Sequence, residues 1–579
     1  MISRLAFCSF LFLLPAFVFA QDSAEDAKIK QQRQTILIEQ ILADAPNLKL
    51  GENRALVYAR AANILWKTDE KRARALFQNA VGEMINAQTF AEADKKNAPF
   101  QHELLTGQST RPQILNQIAR RDAELALEYL FKTRPAAVVK ALSTPRAAGA
   151  KISGSSSNYA YLAQNETNLE QSFIRLAADQ NPERAAKLLN ESLKKGLSNE
   201  TFNLLKKLHE KDPESADRIA SEIVGKLAQN GFDNENQTGY QNTNVAVAFL
   251  NEFIREKPPT EKALKFDDAQ MRNLAGKLFA FHSRQNNGSG YYSNYSILPI
   301  AEKLAPAVAL KMIETQKTYV RRGMHLEYDP EVGKLLNGEG ATAEKLLSAA
   351  GKFPETSRRQ IYQSAAAKFA EQGDFNRATE VLTENFSDDA LEEAMRGLNW
   401  QYAYSLINAG KFSEAERMID EFPENTRVGA LINLANAVYR KNPAENKPHA
   451  AAILGKARAL ISEKPEDSTE MSELMQVIGA NTLIEPLEAF RLLESLVPQV
   501  NELSEAAAVY NGFQRGSNIR QGEFLLINGN PTGFYLNDNS AWGKLAASDF
   551  DRVTNLIDAF SRRESRVALK LQLAESIQH

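Results

Sequence analysis

One helix-start signal keeps returning along this chain, and it limits the fold more than anything else in the sequence. A short polar turn is followed by Pro or an acidic residue, then a small residue, usually Ala, with apolar residues three and four positions later. It is clearest in Asn181-Pro182-Glu183-Arg184-Ala185 with Leu188 and Leu189, and in Asp212-Pro213-Glu214-Ser215-Ala216 with Ile219 and Ala220. Looser copies begin at Asp69, Asp122, Gly373, Gly410 and Glu485, and carry Ala73, Ala126, Ala378, Ala415 and Ala489 at the small position. Asn or Asp caps the free amides of a helix, and Pro fits the first helical position, where a donor is not needed. An acidic residue in the first turn complements the helix dipole. Ala admits a neighbouring helix closely, and the apolar residues extend the same buried stripe.

The aligned alanines are 31 residues apart from Ala185 to Ala216, 37 from Ala378 to Ala415, and 93 from Ala216 to Ala309. Such periods belong to stacked helix pairs, each burying its apolar face on the next. The expected fold is all-α, an α-α superhelix of helical hairpins.

Between Tyr362 and Phe422 the pattern resembles the tetratricopeptide repeat. Ala366, Phe369, Gly373, Phe375, Ala378 and Leu382 stand at that family's small, aromatic and turn spacings. Ala403, Leu406, Gly410, Phe412, Ala415 and Ile419 repeat them 37 residues later. The family's closing Pro is absent from its expected place in both copies. The last helices, from Ser548 to Leu573, are similar to exported bacterial helical-repeat proteins whose function is generally unassigned. Stacked helix pairs make an extended groove, so the expected fold presents a concave surface to a protein or peptide partner.

The N-terminus has the layout of a secretory signal. Arg4 precedes an apolar run from Leu5 to Phe19, broken only by Ser9 and Pro15. Val18-Phe19-Ala20 then offers a small-residue cleavage site before the polar run from Gln21. The run falls short of the ~18–20 apolar residues of a spanning helix, and no later segment is apolar enough to span after signal cleavage. The single cysteine, Cys8, lies inside the signal, so the chain from Gln21 has no thiol and no disulfide. A disulfide-free exported chain of this length suits the bacterial periplasm or exterior. With 69 basic and 72 acidic residues, the net charge of -3 gives no reason to expect nucleic acid as a partner.

The expected organisation is a signal at 1–20, an N-terminal helical region at 21–149, helical repeats with long loops at 159–350, the tetratricopeptide-like region at 351–511, and a loop or hairpin with terminal helices at 512–579. Four segments rich in Gly, Ser or Asn are predicted loops: 150–158, 230–244, 285–296 and 512–544. Within the last, Phe524-Leu525-Leu526-Ile527 and Phe534-Tyr535-Leu536 flank a turn at 528–533 and predict one small β-hairpin near 524–536.

No catalytic, cofactor-binding or metal-binding set emerges, and no cofactor is expected. The six histidines never fall at i, i+3 or i+4. Neither a nucleophile elbow nor a phosphate-binding Gly-Lys-Ser/Thr loop occurs. Glu564-Ser565 matches the catalytic pair of exported lytic transglycosylases, but so near the C-terminus it reads as a solvated helix face. Tyrosines gather in two predicted loops, at Tyr159 and Tyr161, then at Tyr291, Tyr292 and Tyr295. These are the candidate contacts for a peptide or glycan, the alternative being rings that pin loops to the superhelix. The expected function is non-enzymatic: an envelope scaffold for a protein or peptide. A helical enzyme or binding protein acting on cell-wall or polysaccharide material is the competing expectation.

Overall fold

The computed structural model describes residues 14–93, 110–143, 155–230, 232, 237–255, 263–284, 291–321, 330–338, 340–514, 519–526 and 541–577. Among them are twenty-seven α-helices, one 3-10 turn and a single two-stranded sheet. The fold is all-α and built of consecutive helical pairs. None of these helices is long and apolar enough to cross a membrane.

The chain forms two compact units: 1–312 with 503–531 and 561–579, and 313–502 with 532–560. In the first, the repeated start signal works as its chemistry predicts. The side chains of Asp69, Asp122, Asn181 and Asp212 accept the backbone N–H three residues on, at 2.9–3.1 Å. Ala73, Ala126, Ala185 and Ala216 are buried at the helix crossings. Between the crossings lies an aromatic run, in which Phe249 meets both Phe202 and Phe266 edge-on at 5.2 and 5.9 Å.

In the second unit, helices Glu355–Glu371 and Phe375–Asn385 form one hairpin, and Asp388–Asn408 with Phe412–Asp420 the next. Their turns are Gly373 at φ +88° and Gly410 at φ +74°, left-handed conformations that favour glycine. Asp374 caps its helix through the N–H of Arg377 at 3.0 Å. Ala366, Phe369, Ala378, Leu382, Ala394 and Leu398 close into one cluster. Each large apolar side chain buried in this way stabilises by roughly 1.5–3 kcal/mol.

The predicted loops are shorter than composition suggests. Helices begin at Ser155, Gln237 and Tyr291, inside three of the four segments, and in the fourth one helix runs on to Gln514 and another starts at Ala541. Ser and Asn are only mildly poor helix formers, and the apolar stripes downstream of them decide the outcome. The hairpin also lies earlier than predicted: Ile519 pairs with Phe524 and Arg520 with Glu523. Gln521 at φ +53° and Gly522 at φ +72° make the two-residue turn whose twist suits paired strands. Phe524 is therefore in the second strand and not the first, while 527–540 lies outside the described residues.

Candidate functional site

The tyrosines singled out from the sequence are on helices and not in loops. Tyr159 and Tyr161 belong to Ser155–Ala177, where Tyr161 is half-buried. Tyr291, Tyr292 and Tyr295 open the helix Tyr291–Leu304. The side chains of Tyr159, Tyr291, Tyr292 and Tyr295 lie outside the described residues.

The most heavily built polar feature of the first unit was not anticipated. Helix Ser155–Ala177 turns Glu166 and Glu170, one helical turn apart, into the interior, where each is at most 3% exposed. Glu166 accepts both terminal nitrogens of Arg111, at 2.8 and 3.1 Å, and Nε of Arg134 at 2.6 Å. Glu170 accepts Arg134 as well, and Nζ of Lys195 at 2.7 and 2.8 Å. Arg111 also donates to Thr133 Oγ1 and to the Leu130 carbonyl. Burial works to raise the pKa of Glu166, but the charges and hydrogen bonds of Arg111 and Arg134 overcome it and hold the carboxyl below its ordinary range. On the same helix Gln171 accepts Ser198 Oγ and Thr201 Oγ1 at 2.7 and 2.6 Å, and donates to the Gly196 carbonyl at 3.1 Å. The network ties the 192–201 turn and helix Thr110–Ala119 to one face, and its carboxylates are fully occupied. Acids so engaged are structural. A general acid needs a raised pKa and a free approach.

Glu564 and Ser565 are not a solvated face. They are 5% and 1% exposed, at the start of helix Arg563–Ser576. Glu564 accepts Nε of Arg562 at 2.7 Å and the backbone N–H of Phe524 at 3.3 Å. Arg562 also donates to the Gly522 carbonyl, pairs with Glu505 at 3.1 Å, and lies over the Phe524 ring. The pair is part of a latch on the hairpin, whose Glu523 is also bound by the N–H groups of Lys49 and Leu50 and by Asn53. In the second unit Glu473 is the carboxyl pushed up among the described residues, first by burial and then by Glu470 and Asp467. Glu470 itself is spent on the turn before its helix, accepting the N–H of Glu466 and the hydroxyl of Ser462, while Asp467 caps the helix.

Among the described residues no group of three or more His, Cys, Asp or Glu could hold a metal ion. His209 is buried, with Nε2 3.3 Å from Asp217 Oδ1, and His102, His325 and His579 lie outside the described residues.

The surface feature with the shape of a contact site is aromatic and lies in the second unit. On helix Asp388–Asn408, Trp400 and Tyr404 stand one turn apart, rings stacked at 6.0 Å and 29°. Trp400 leans on the buried Phe422 at 5.4 Å, while Tyr404 is 42% exposed. Alongside, Tyr402 stacks on Phe375 at 4.4 Å. The i, i+4 spacing of Trp400 and Tyr404, which puts both rings on one face of a helix, was the available signal for this pair.

No family model and no curated protein matches this chain. Among solved structures, a circular tandem repeat protein with novel repeat topology and enhanced subunit contact surfaces is similar over 94% of this chain and 95% of its own, at 14% identity and a TM-score of 0.18.

Proposed function

We propose that this chain is an exported scaffold of tetratricopeptide-like helical hairpins that binds a protein or peptide partner in the bacterial cell envelope. Export rests on the signal layout of the first twenty residues. Binding rests on one observation above the others: Trp400 and Tyr404 form an aromatic shelf on the stretch where the tetratricopeptide pattern is sharpest. Large amphipathic rings standing partly in solvent on a rigid helix are the residue types that dominate binding energy at interfaces. A polysaccharide-cleaving reading needs a raised, accessible acid beside a second carboxylate. Glu166 and Glu170 are instead locked by three cations.

The test places a photo-cross-linkable residue at exposed Gln401 of the full chain, in the native envelope. A reproducible protein or peptide adduct, lost in Trp400→Ala/Tyr404→Ala, supports the scaffold. Adducts of glycan alone would replace it with the polysaccharide reading. Export is checked separately, by finding a mature N-terminus at Gln21.

A further inference from the structure

The shelf does not stand in neutral surroundings. Between Asp388 and Glu424 the chain carries nine acidic residues against three basic ones, a surplus of six negative charges in a protein whose net charge is -3. The basic residues are engaged: Arg396 lies 3.8 Å from Glu392, Lys411 lies 3.8 Å from Glu414, and Arg417 donates to the Ser413 carbonyl. Lys456, from helix Pro443–Ala459, is absorbed by Glu416 and Asp420. Exposed Asp389, Glu393, Glu421 and Glu424 have no ion-pair partner among the described residues.

Two of these acids are placed to matter for the rings. Glu393, Gly397, Trp400 and Tyr404 recur at i, i+4, i+7 and i+11, on one face of a single helix. Glu421 stands in the turn carrying Phe422, the ring that supports Trp400. Gly397 adds no side chain beside the indole, and a Cβ there would meet nothing within 4 Å. Arg427, just past this stretch, spends Nε and Nη2 on the Phe422 carbonyl at 3.1 and 2.7 Å, so the shelf is an open aromatic surface with carboxylates outside ion pairs along its helix, at Glu393, and in its supporting turn, at Glu421.

From this we infer that the Trp400–Tyr404 face docks a basic, Lys- or Arg-bearing peptide segment of the partner, with a cationic side chain over the rings and its neighbours against Glu393 and Glu421. The inference rests on the scaffold reading and names the partner's chemistry. Cations are drawn to the faces of Trp and Tyr by the ring quadrupole, and unpaired carboxylates both steer a basic segment and reject an acidic one.

The experiment titrates the full chain with three decapeptides, alternating Lys-Gly, Glu-Gly and Ser-Gly, following tryptophan emission and heat. The Lys-Gly peptide is expected to bind, more weakly as salt rises, and the other two are not. Tyr404→Ser and the charge reversals Glu393→Lys and Glu421→Lys change exposed side chains. Each should weaken binding by about three- to tenfold, in the range of a lost cation–π or charge contact. Trp400→Ala should abolish the emission change. A helical circular-dichroism spectrum for every variant separates lost binding from lost folding. Equal binding of Lys-Gly and Glu-Gly peptides, or Lys-Gly binding unchanged in both reversals, overturns the inference. If Gln401 captures a protein partner whose yield is indifferent to the reversals, the basic-peptide inference falls and the scaffold reading stands. If the Lys-Gly peptide binds the shelf but the envelope yields only glycan, the scaffold reading falls alone.

Discussion

Glu523 and Asn53, 470 positions apart in the chain, are joined by a hydrogen bond of 2.6 Å, and through it a hairpin near the end of the sequence caps a helix near its beginning. Helix Gly51–Leu65 starts at Leu50, which has no side-chain oxygen to cap it. The carboxylate of Glu523 takes that place, accepting the N–H of Lys49 at 2.6 Å and of Leu50 at 3.2 Å. Asn53 completes the junction, donating to the Phe524 carbonyl and accepting the N–H of Leu526.

Glu523→Ala should therefore act on residues 49–65, hundreds of positions away. Losing a cap and stranding buried donors costs roughly 2–4 kcal/mol together. A chain of two units does not promise a single unfolding step, so the measurement is hydrogen exchange read segment by segment. Protection should fall at 49–65 and at the hairpin, and stay unchanged in helices Glu355–Glu371 and Phe375–Asn385. Unchanged protection at 49–65 would contradict the cap.

The Arg111–Glu166 pair predicts an acid-sensitive first unit. Glu166 ordinarily would titrate near 4.5 and is held lower in the folded chain. A lowered carboxyl contributes stability fully present above its unfolded pKa and lost as pH falls through the folded one. The first unit should thus weaken below about pH 4.5. Glu166→Gln leaves Arg111 and Arg134 short of a counter-charge, costing about 3–5 kcal/mol near neutral pH. It should also remove this group's share of the acid sensitivity, visible in urea melts at pH 7 and pH 4. A variant as stable as the parent at pH 7 would show the network to be dispensable.

Glycines at two kinds of position should respond in opposite directions. Gly373→Ala forces a side chain into φ +88° and should destabilise the second unit by about 1–2 kcal/mol. Gly455→Ala lies within helix Pro443–Ala459, with nothing within 4 Å of the added carbon. It should stabilise by about 0.5–1 kcal/mol, because alanine loses less backbone freedom in a helix. Thermal melts of the two variants check the pair, and a shared sign would refute the assignment of the turn.

What could be read from sequence was local. The caps at Asp69, Asp122, Asn181, Asp212 and Asp374 act within three residues, so the residue types and their spacing carried the information. The glycine turns at 373 and 410 were legible for the same reason. The Arg111–Glu166 and Asn53–Glu523 contacts span 55 and 470 positions, and no spacing rule reaches that far. Arg562-Arg563-Glu564 reads as a solvated charge run until residues from the other end of the chain cover it. The tyrosine clusters were assigned to loops on Ser and Asn content, a weaker influence than the apolar stripes that follow. Trp400 and Tyr404 were visible as residues, but nothing in the sequence says which side of their helix stays open.

The latch at the chain's two ends also sets a timetable. Arg60 pairs with Glu575 at 2.7 Å and Gln34 donates to the Ala574 carbonyl at 2.8 Å, so these helices wait for a strand of synthesis more than 500 residues long. At about 5–20 residues per second, synthesis alone accounts for on the order of half a minute to two minutes of that wait, and in an exported chain passage across the membrane adds to it. During it, the start of helix Gly51–Leu65 lacks its cap, and the N-terminal helices present the apolar side they will later bury. The second unit's hairpins, whose partners are near neighbours in sequence, can close in the meantime. Helix Gly51–Leu65, made before the second unit, should become native after it.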